Sequence, residues 1–130
     1  MQPGDTYKSD PAQGIPHLHV VVIVPPAAAE VLVVNITTYN DEKDDTCIIQ
    51  TGEHAFVRHK SCISYRNARV VSLAVLQNLI NRGHLAVTDP VTKALLDRIL
   101  AGFAISGDVP REVKGWLGKY QAATSIRVRK

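Results

Sequence analysis

Five histidines are the side chains of this chain whose ordinary pKa lies closest to neutrality, so they are the first candidates for moving a proton. His17 and His19 lie two apart in a β-branched stretch, a spacing that turns both to one face of a strand and Leu18 to the other. Two such ligands are too few for a metal without a carboxylate or thiolate beside them, and no partner is identifiable, so neither metal nor other cofactor is expected. His59 lies among cations, which lower a histidine's pKa and leave it partly neutral; it is a general-acid candidate. Thr37 ends a long apolar stretch just before a polar loop, where its hydroxyl meets solvent, although threonine also serves simply as a strand former. Asn35 is the only polar side chain within 31–36 and shares a face with Val33 and Thr37; such an amide anchors a hydrogen-bond network or lines a cleft.

His59 belongs to a segment, Arg58 to Arg69, that carries four Arg or Lys, one histidine and no acid. Residues 1–57 hold two Lys/Arg against eight Asp/Glu, whereas 58–130 hold thirteen against four, giving −6 and +9. Asymmetry of this kind in one small chain suits a surface that meets a polyanion, or a solvated edge strand kept soluble by its charges. Arg58, Lys60 and Arg66 are the candidate phosphate contacts. With few aromatic residues in the chain, Tyr65 and Tyr39 offer the stacking surfaces nearby. No glycine-rich phosphate loop, nucleophile elbow or zinc signature is present, which disfavours NTPases, α/β-hydrolases and zinc deaminases.

The elements that must position these groups change period midway. Gly4 to Lys8 can open a strand, and Asp10 to Gly14 has turn chemistry. The stretches 17–24, 31–37, 46–50 and 61–65 read as strands, with 40–45 as an acidic loop. No helix-length segment separates them to make a parallel crossover, which favours a small antiparallel barrel over a layered sheet. Val71, Val75, Leu79 and Ile80 then recur at helical spacing, predicting a helix over 72–82. Asp89-Pro90 offers an N-cap and first-turn proline to a second helix whose stripe runs from Val91 to Phe103, ended by Ser106-Gly107. Pro110 opens a third, and Thr124 to Lys130 reads as a frayed basic tail. The expectation is one domain over 1–130: a barrel over about 4–70, a helical part over about 71–121 and the tail over 122–130. The fold class is mainly β with C-terminal helices. Cys47 and Cys62 both fall in strands, where reduced, buried thiols suit a cytoplasmic protein. The apolar run 20–24 is too short to span a bilayer and follows an acidic stretch unlike a secretory leader, so no membrane association is expected.

Taken in order, Gly4-Asp5, the aliphatic strand Val20 to Ile23, Val34-Asn35-Ile36-Thr37-Thr38, and Lys60-Ser61-Cys62-Ile63-Ser64-Tyr65-Arg66 leading into helix resemble the MazF/PemK family of endoribonuclease toxins. The similarity spans about residues 4–82, and each motif is short; order and spacing carry it. The resemblance implies an SH3-like barrel of the PemK/MazF type, a homodimer, and metal-independent cleavage of single-stranded RNA by attack of a ribose 2′-hydroxyl on the adjacent phosphorus. Thr37 matches the family's active-site threonine. The family's arginine, in an Arg-Pro step before the aliphatic strand, has no counterpart, since His17-Leu18-His19 stands there with Leu18 in line.

On this reading Thr37, His17, His19 and His59 carry the chemistry, Arg58, Lys60, Arg66 and Tyr65 bind RNA, and Arg58 or Arg66 replaces the absent charge. The implied partners are single-stranded RNA and an antitoxin whose acidic, partly disordered segment competes for the basic groove. The alternative is a non-catalytic SH3-like module that binds nucleic acid or protein, including a toxin that grips a protein target. The roughly forty residues beyond the first helix exceed the family pattern; their apolar stripe must pack on the barrel, the dimer interface or the groove.

Overall fold

A computed structural model describes residues 1–9, 17–26 and 29–128, with the side chains of 122–128 left aside. Six strands, β1 (Thr6–Ser9), β2 (Leu18–Ile23), β3 (Glu30–Thr38), β4 (Ile48–Ile49), β5 (Ser61–Ser72) and β6 (Leu85–Thr88), form one antiparallel sheet in the order β4-β5-β3-β2-β1-β6. The helices are α1 (Leu73–Asn81), α2 (Lys93–Gly102) and α3 (Arg111–Val128). The sheet curves as a half-barrel whose edges are β4 and β6.

Helices cover both faces of this sheet. Val20, Val22, Leu32, Val34, Ile63 and Tyr65 pack with Leu95 and Ile99 of α2 and Val113 of α3, while Val21, Val31, Val33 and Tyr7 pack on the opposite face with Leu76 of α1. Val20 to Val22 and Val31 to Val34 are each at most 1 % exposed. Continuous apolar runs of this kind, with no polar alternation, belong to central strands that bury both sides. Burying a valine side chain is worth about 1.5–3 kcal/mol, so these two strands form the most stable part of the molecule.

Four features differ from the sequence expectation. The strand expected to stop at Tyr65 continues to Ser72, because the exposed Arg66-Asn67 pair is an irregularity within β5 rather than its end. Pairing passes from Asn35↔Ser64 to Val33↔Arg69, so two steps on β3 face five on β5. Leu85–Thr88 was absorbed into a helical part but pairs with β1, from Thr6↔Thr88 to Ser9↔Leu85. The N-cap of α2 is Thr92, whose hydroxyl accepts from Leu95 N. The Asp89 carbonyl instead accepts from Thr6 Oγ1 at 2.6 Å and from His54 Nε2 at 2.5 Å, tying three segments together. Finally, α3 carries the chain through Thr124 to Val128, where a frayed tail was expected; positions 129–130, like the turn expected over 10–14, lie outside the described residues.

Cys47 and Cys62 are free and buried. Cys47 O accepts from Ile63 N, and Cys47 joins the core on the Ile63 face, whereas Cys62 alternates to the other side of β5. Two thiols on opposite faces of a sheet cannot be bridged without moving the backbone.

Candidate functional site

The sheet face under α1 is divided in two. Val21, Val31 and Val33 fill the half that the helix covers, and beyond them the same alternation delivers His19, Asn35, Thr37, Cys62 and Ser64. Register lines up Tyr7, His19, Asn35 and Ser64 across β1, β2, β3 and β5. The irregularity in β5 sends the Arg69 side chain back over this row. Arg69 Nη1 donates to Asn35 Oδ1 at 2.9 Å and to Asn67 O at 3.3 Å, and Nη2 lies 3.0 Å from His19 Nδ1.

His19 is 9 % exposed and stacks on Tyr7, with ring centroids 4.7 Å apart. Its Nδ1 is 2.8 Å from Asn35 Oδ1, and because that nitrogen has a single in-plane position it either donates to Asn35 or accepts from Arg69. Accepting from Arg69 requires the neutral ring, whereas donating to Asn35 is open to either protonation state. Burial, then the neighbouring guanidinium, pushes the His19 pKa down to about 4, against a smaller upward effect of the Asn35 hydrogen bond. Burial also raises the Tyr7 hydroxyl, partly opposed by Arg69. Among the described residues the ion pairs are Lys93–Asp97 and Arg98–Glu53, and the side-chain partners of Arg69 are Asn35 and His19.

Thr37 sits two residues beyond Asn35 on the same face, at the rim of the sheet. Its Oγ1 accepts from Lys43 Nζ at 3.1 Å, and Lys43 also donates to Thr38 O at 2.6 Å. The acidic loop makes this possible. Asn40 caps a turn by accepting from Glu42 N, and Asp44 accepts from Thr46 N at 2.9 Å and from the hydroxyls of Thr46 and Ser106 at 2.5 Å each. Burial raises the Asp44 carboxyl, but those hydrogen bonds prevail and hold it below its usual range. Thr37, Lys43, Asp44, Cys62 and Arg66 line a cleft of about 380 Å³ beside this loop.

The remaining expected site residues lie around that rim. His17 is exposed and 6.4 Å from His19, centroid to centroid. Arg58, His59, Lys60 and Arg66 are all exposed; Arg58 and His59 share a hollow of about 250 Å³ with Thr37, whereas Lys60 Nζ lies 5.0 Å from the Tyr39 ring. Tyr65 must be corrected as a stacking residue. It is wholly buried under α2, with its hydroxyl donating to Ile99 O at 2.6 Å, and offers no ring face to a base. Leu18, in line with the absent family arginine, points into the core on the other face. His19 is corrected in role: with its pKa pushed down to about 4 the ring is neutral at pH 7 and a weak base, ill matched to proton transfer.

No family model, no curated protein and no solved structure matches this chain. The site is therefore read from its own groups. Three that the sequence reading left out matter most: Arg69, Lys43 and Phe56. Arg69 was visible as the last cation of the basic segment, followed by Val70-Val71, whose branching signals a strand that has not ended. Lys43 is the lone cation in an acidic loop. Among the described residues no group of three His, Cys, Asp or Glu is placed to hold a metal ion, and no helix is long and apolar enough to cross a membrane.

Proposed function

We propose that this chain is a metal-independent endoribonuclease acting on single-stranded RNA in the cytoplasm, the toxin of a toxin–antitoxin pair. One observation carries the reading: Arg69, which pairs with no acid among the described residues, lies over Asn35 and His19 on the strand face that also presents Thr37. That is a cation on the threonine's own face, supplied from β5 where the family resemblance leaves a gap at position 18.

The chemistry needs a group to take the proton of the 2′-hydroxyl, a group to return one to the leaving 5′-oxygen, and positive charge on the phosphorane between them. Arg69 and Lys43 supply the charge, and the Thr37 hydroxyl binds a non-bridging oxygen. His17 and His59, both exposed, transfer protons. His19 positions Arg69 while adding no charge of its own. Arg58, Lys60 and Arg66 draw in the flanking phosphates. The finer fold assignment, an SH3-like barrel opened at β4 and β6 and paired as a homodimer, belongs to the same proposal, as does an acidic antitoxin segment seated on this rim.

Incubation with a mixed-sequence single-stranded RNA in excess chelator tests the reading. It predicts fragments with 2′,3′-cyclic phosphate and 5′-hydroxyl ends, lost in Thr37→Ala. Retention of intact RNA, weakening steeply with salt, would instead mark a binding module.

A further inference from the structure

Thr37 and Thr38 leave the sheet beside a hollow whose apolar floor and Phe56 wall have no part in the catalytic reading. Its floor is apolar, from Leu18, Ile36 and Val57, and its rim carries Arg58 and His59; among the described residues none that lines it is acidic. One wall is Phe56, 43 % exposed, a large apolar side chain left open on a chain with few aromatic residues. One exposed apolar side chain is ordinary by itself; this one adjoins an apolar floor and a cationic rim.

Phe56 is held. His54, 5 % exposed, fixes the loop from both ring nitrogens: Nε2 donates to Asp89 O, and Nδ1 accepts from Phe56 N at 3.1 Å. Val57 N donates to His54 O, Gly52 N donates to Val57 O, each at 3.0 Å, and Val57 is buried. Lys8 Nζ lies over one face of the Phe56 ring, 3.6 Å from its centroid, which leaves the other face for a base. A rigid aromatic plate, an apolar floor, hydroxyls from Thr38 and Ser61, and cations at the mouth are what an unstacked nucleotide requires: a plane for the base, donors and acceptors for its edge, and charge for its phosphate. The volume, about 250 Å³, admits one base rather than a folded element.

We propose that this hollow is a nucleobase subsite in which Phe56 stacks the base next to the scissile phosphate while Arg58 takes the phosphate that follows it. The proposal rests on the nuclease reading for its substrate, yet it is tested separately from cleavage. The probe is a single-stranded 2′-deoxy oligonucleotide carrying one 2-aminopurine, which cannot be cut by 2′-hydroxyl attack and whose fluorescence is quenched on stacking. Wild-type protein should bind it with quenching. Phe56→Ala should weaken binding by about five-fold or more and abolish the quenching, leaving the salt dependence unchanged. Phe56→Leu, which keeps the apolar bulk and the fold, should behave like the alanine variant, and Phe56→Trp should restore quenching. Arg58→Ala should lower the salt slope by about one. Undiminished affinity and quenching in both Phe56→Ala and Phe56→Leu, or no binding by the wild type, would overturn the subsite. Quenched binding without cleavage of the matching RNA leaves the subsite standing and removes the nuclease; cleavage with an indifferent Phe56 does the reverse.

Discussion

Lowering the pH should destabilise this protein through one ring. His19 titrates at about 4 in the folded chain against 6.5 when free, so between those values the unfolded chain binds a proton that the folded chain refuses. Stability must then fall as pH falls through this window, and it is recovered above 6.5. The full shift corresponds to about 3 kcal/mol, and about 2 kcal/mol of it should already be lost between pH 7 and pH 5. Asp44 and Glu53, both held below the usual carboxylate range, destabilise in the same direction, but chiefly below about pH 5 where free carboxylates begin to protonate. The assay is urea unfolding at pH 7, 6 and 5 for the wild type and for His19→Gln, which keeps a polar side chain beside Asn35 and Arg69. The variant starts less stable, so the slopes are compared rather than the absolute values. The wild type should lose about 2 kcal/mol more than the variant over this range. Equal slopes would show that the ring is not held neutral by burial and Arg69, and would remove the assigned role of His19.

Three further outcomes follow from the packing. Gly102 is buried against Tyr65, and a Cβ there would lie 2.5 Å from Tyr65 Cζ and closer still to its hydroxyl. Gly102→Ala should therefore cost about 2 kcal/mol in urea unfolding despite alanine's helix preference, and Tyr65→Phe should relieve part of it in a double-mutant cycle. His54→Leu strands the Phe56 N–H and removes one donor from the Asp89 carbonyl, so it should lower stability by about 2 kcal/mol and speed amide exchange at Phe56 and Val57. Treatment of the folded protein with an oxidant should leave Cys47 and Cys62 unlinked in mass spectra, and alkylation should be slow until unfolding, because burial raises both thiols.

The long apolar strands, the first helix and the stripe of the second were legible because their periodicities are strong and local. The layering was not. Val20 to Ile23 and Val31 to Val34 lack polar alternation, which itself signals cover on both faces, yet the absence of a crossover helix between the strands suggested a barrel. The cover comes from α1, between β5 and β6, and from α2 and α3, which follow β6. β6 was missed because four residues, two of them exposed, carry almost no pattern of their own and are made a strand by pairing with β1. At the candidate site, alternation by two showed the shared face of Asn35 and Thr37 and that of His17 and His19, while the register that brings His19 beside Asn35 did not show in the sequence. Arg69 was hidden, since an irregularity in β5 that resets register cannot be read from side-chain types. Tyr65 shows the converse failure: an aromatic residue beside an arginine looks like a recognition pair, and only the three-dimensional placement of α2 reveals that its partner is the Ile99 carbonyl.

The most direct measurement of the central claim compares wild type, Arg69→Gln and His17→Ala in cleavage of single-stranded RNA under excess chelator, with fragment ends identified and folding verified by unfolding curves. The account predicts cyclic-phosphate ends from the wild type, with rates reduced at least about a hundred-fold in both variants. Cleavage that survives loss of Arg69 at the wild-type rate, or that leaves 3′-hydroxyl ends, would contradict it.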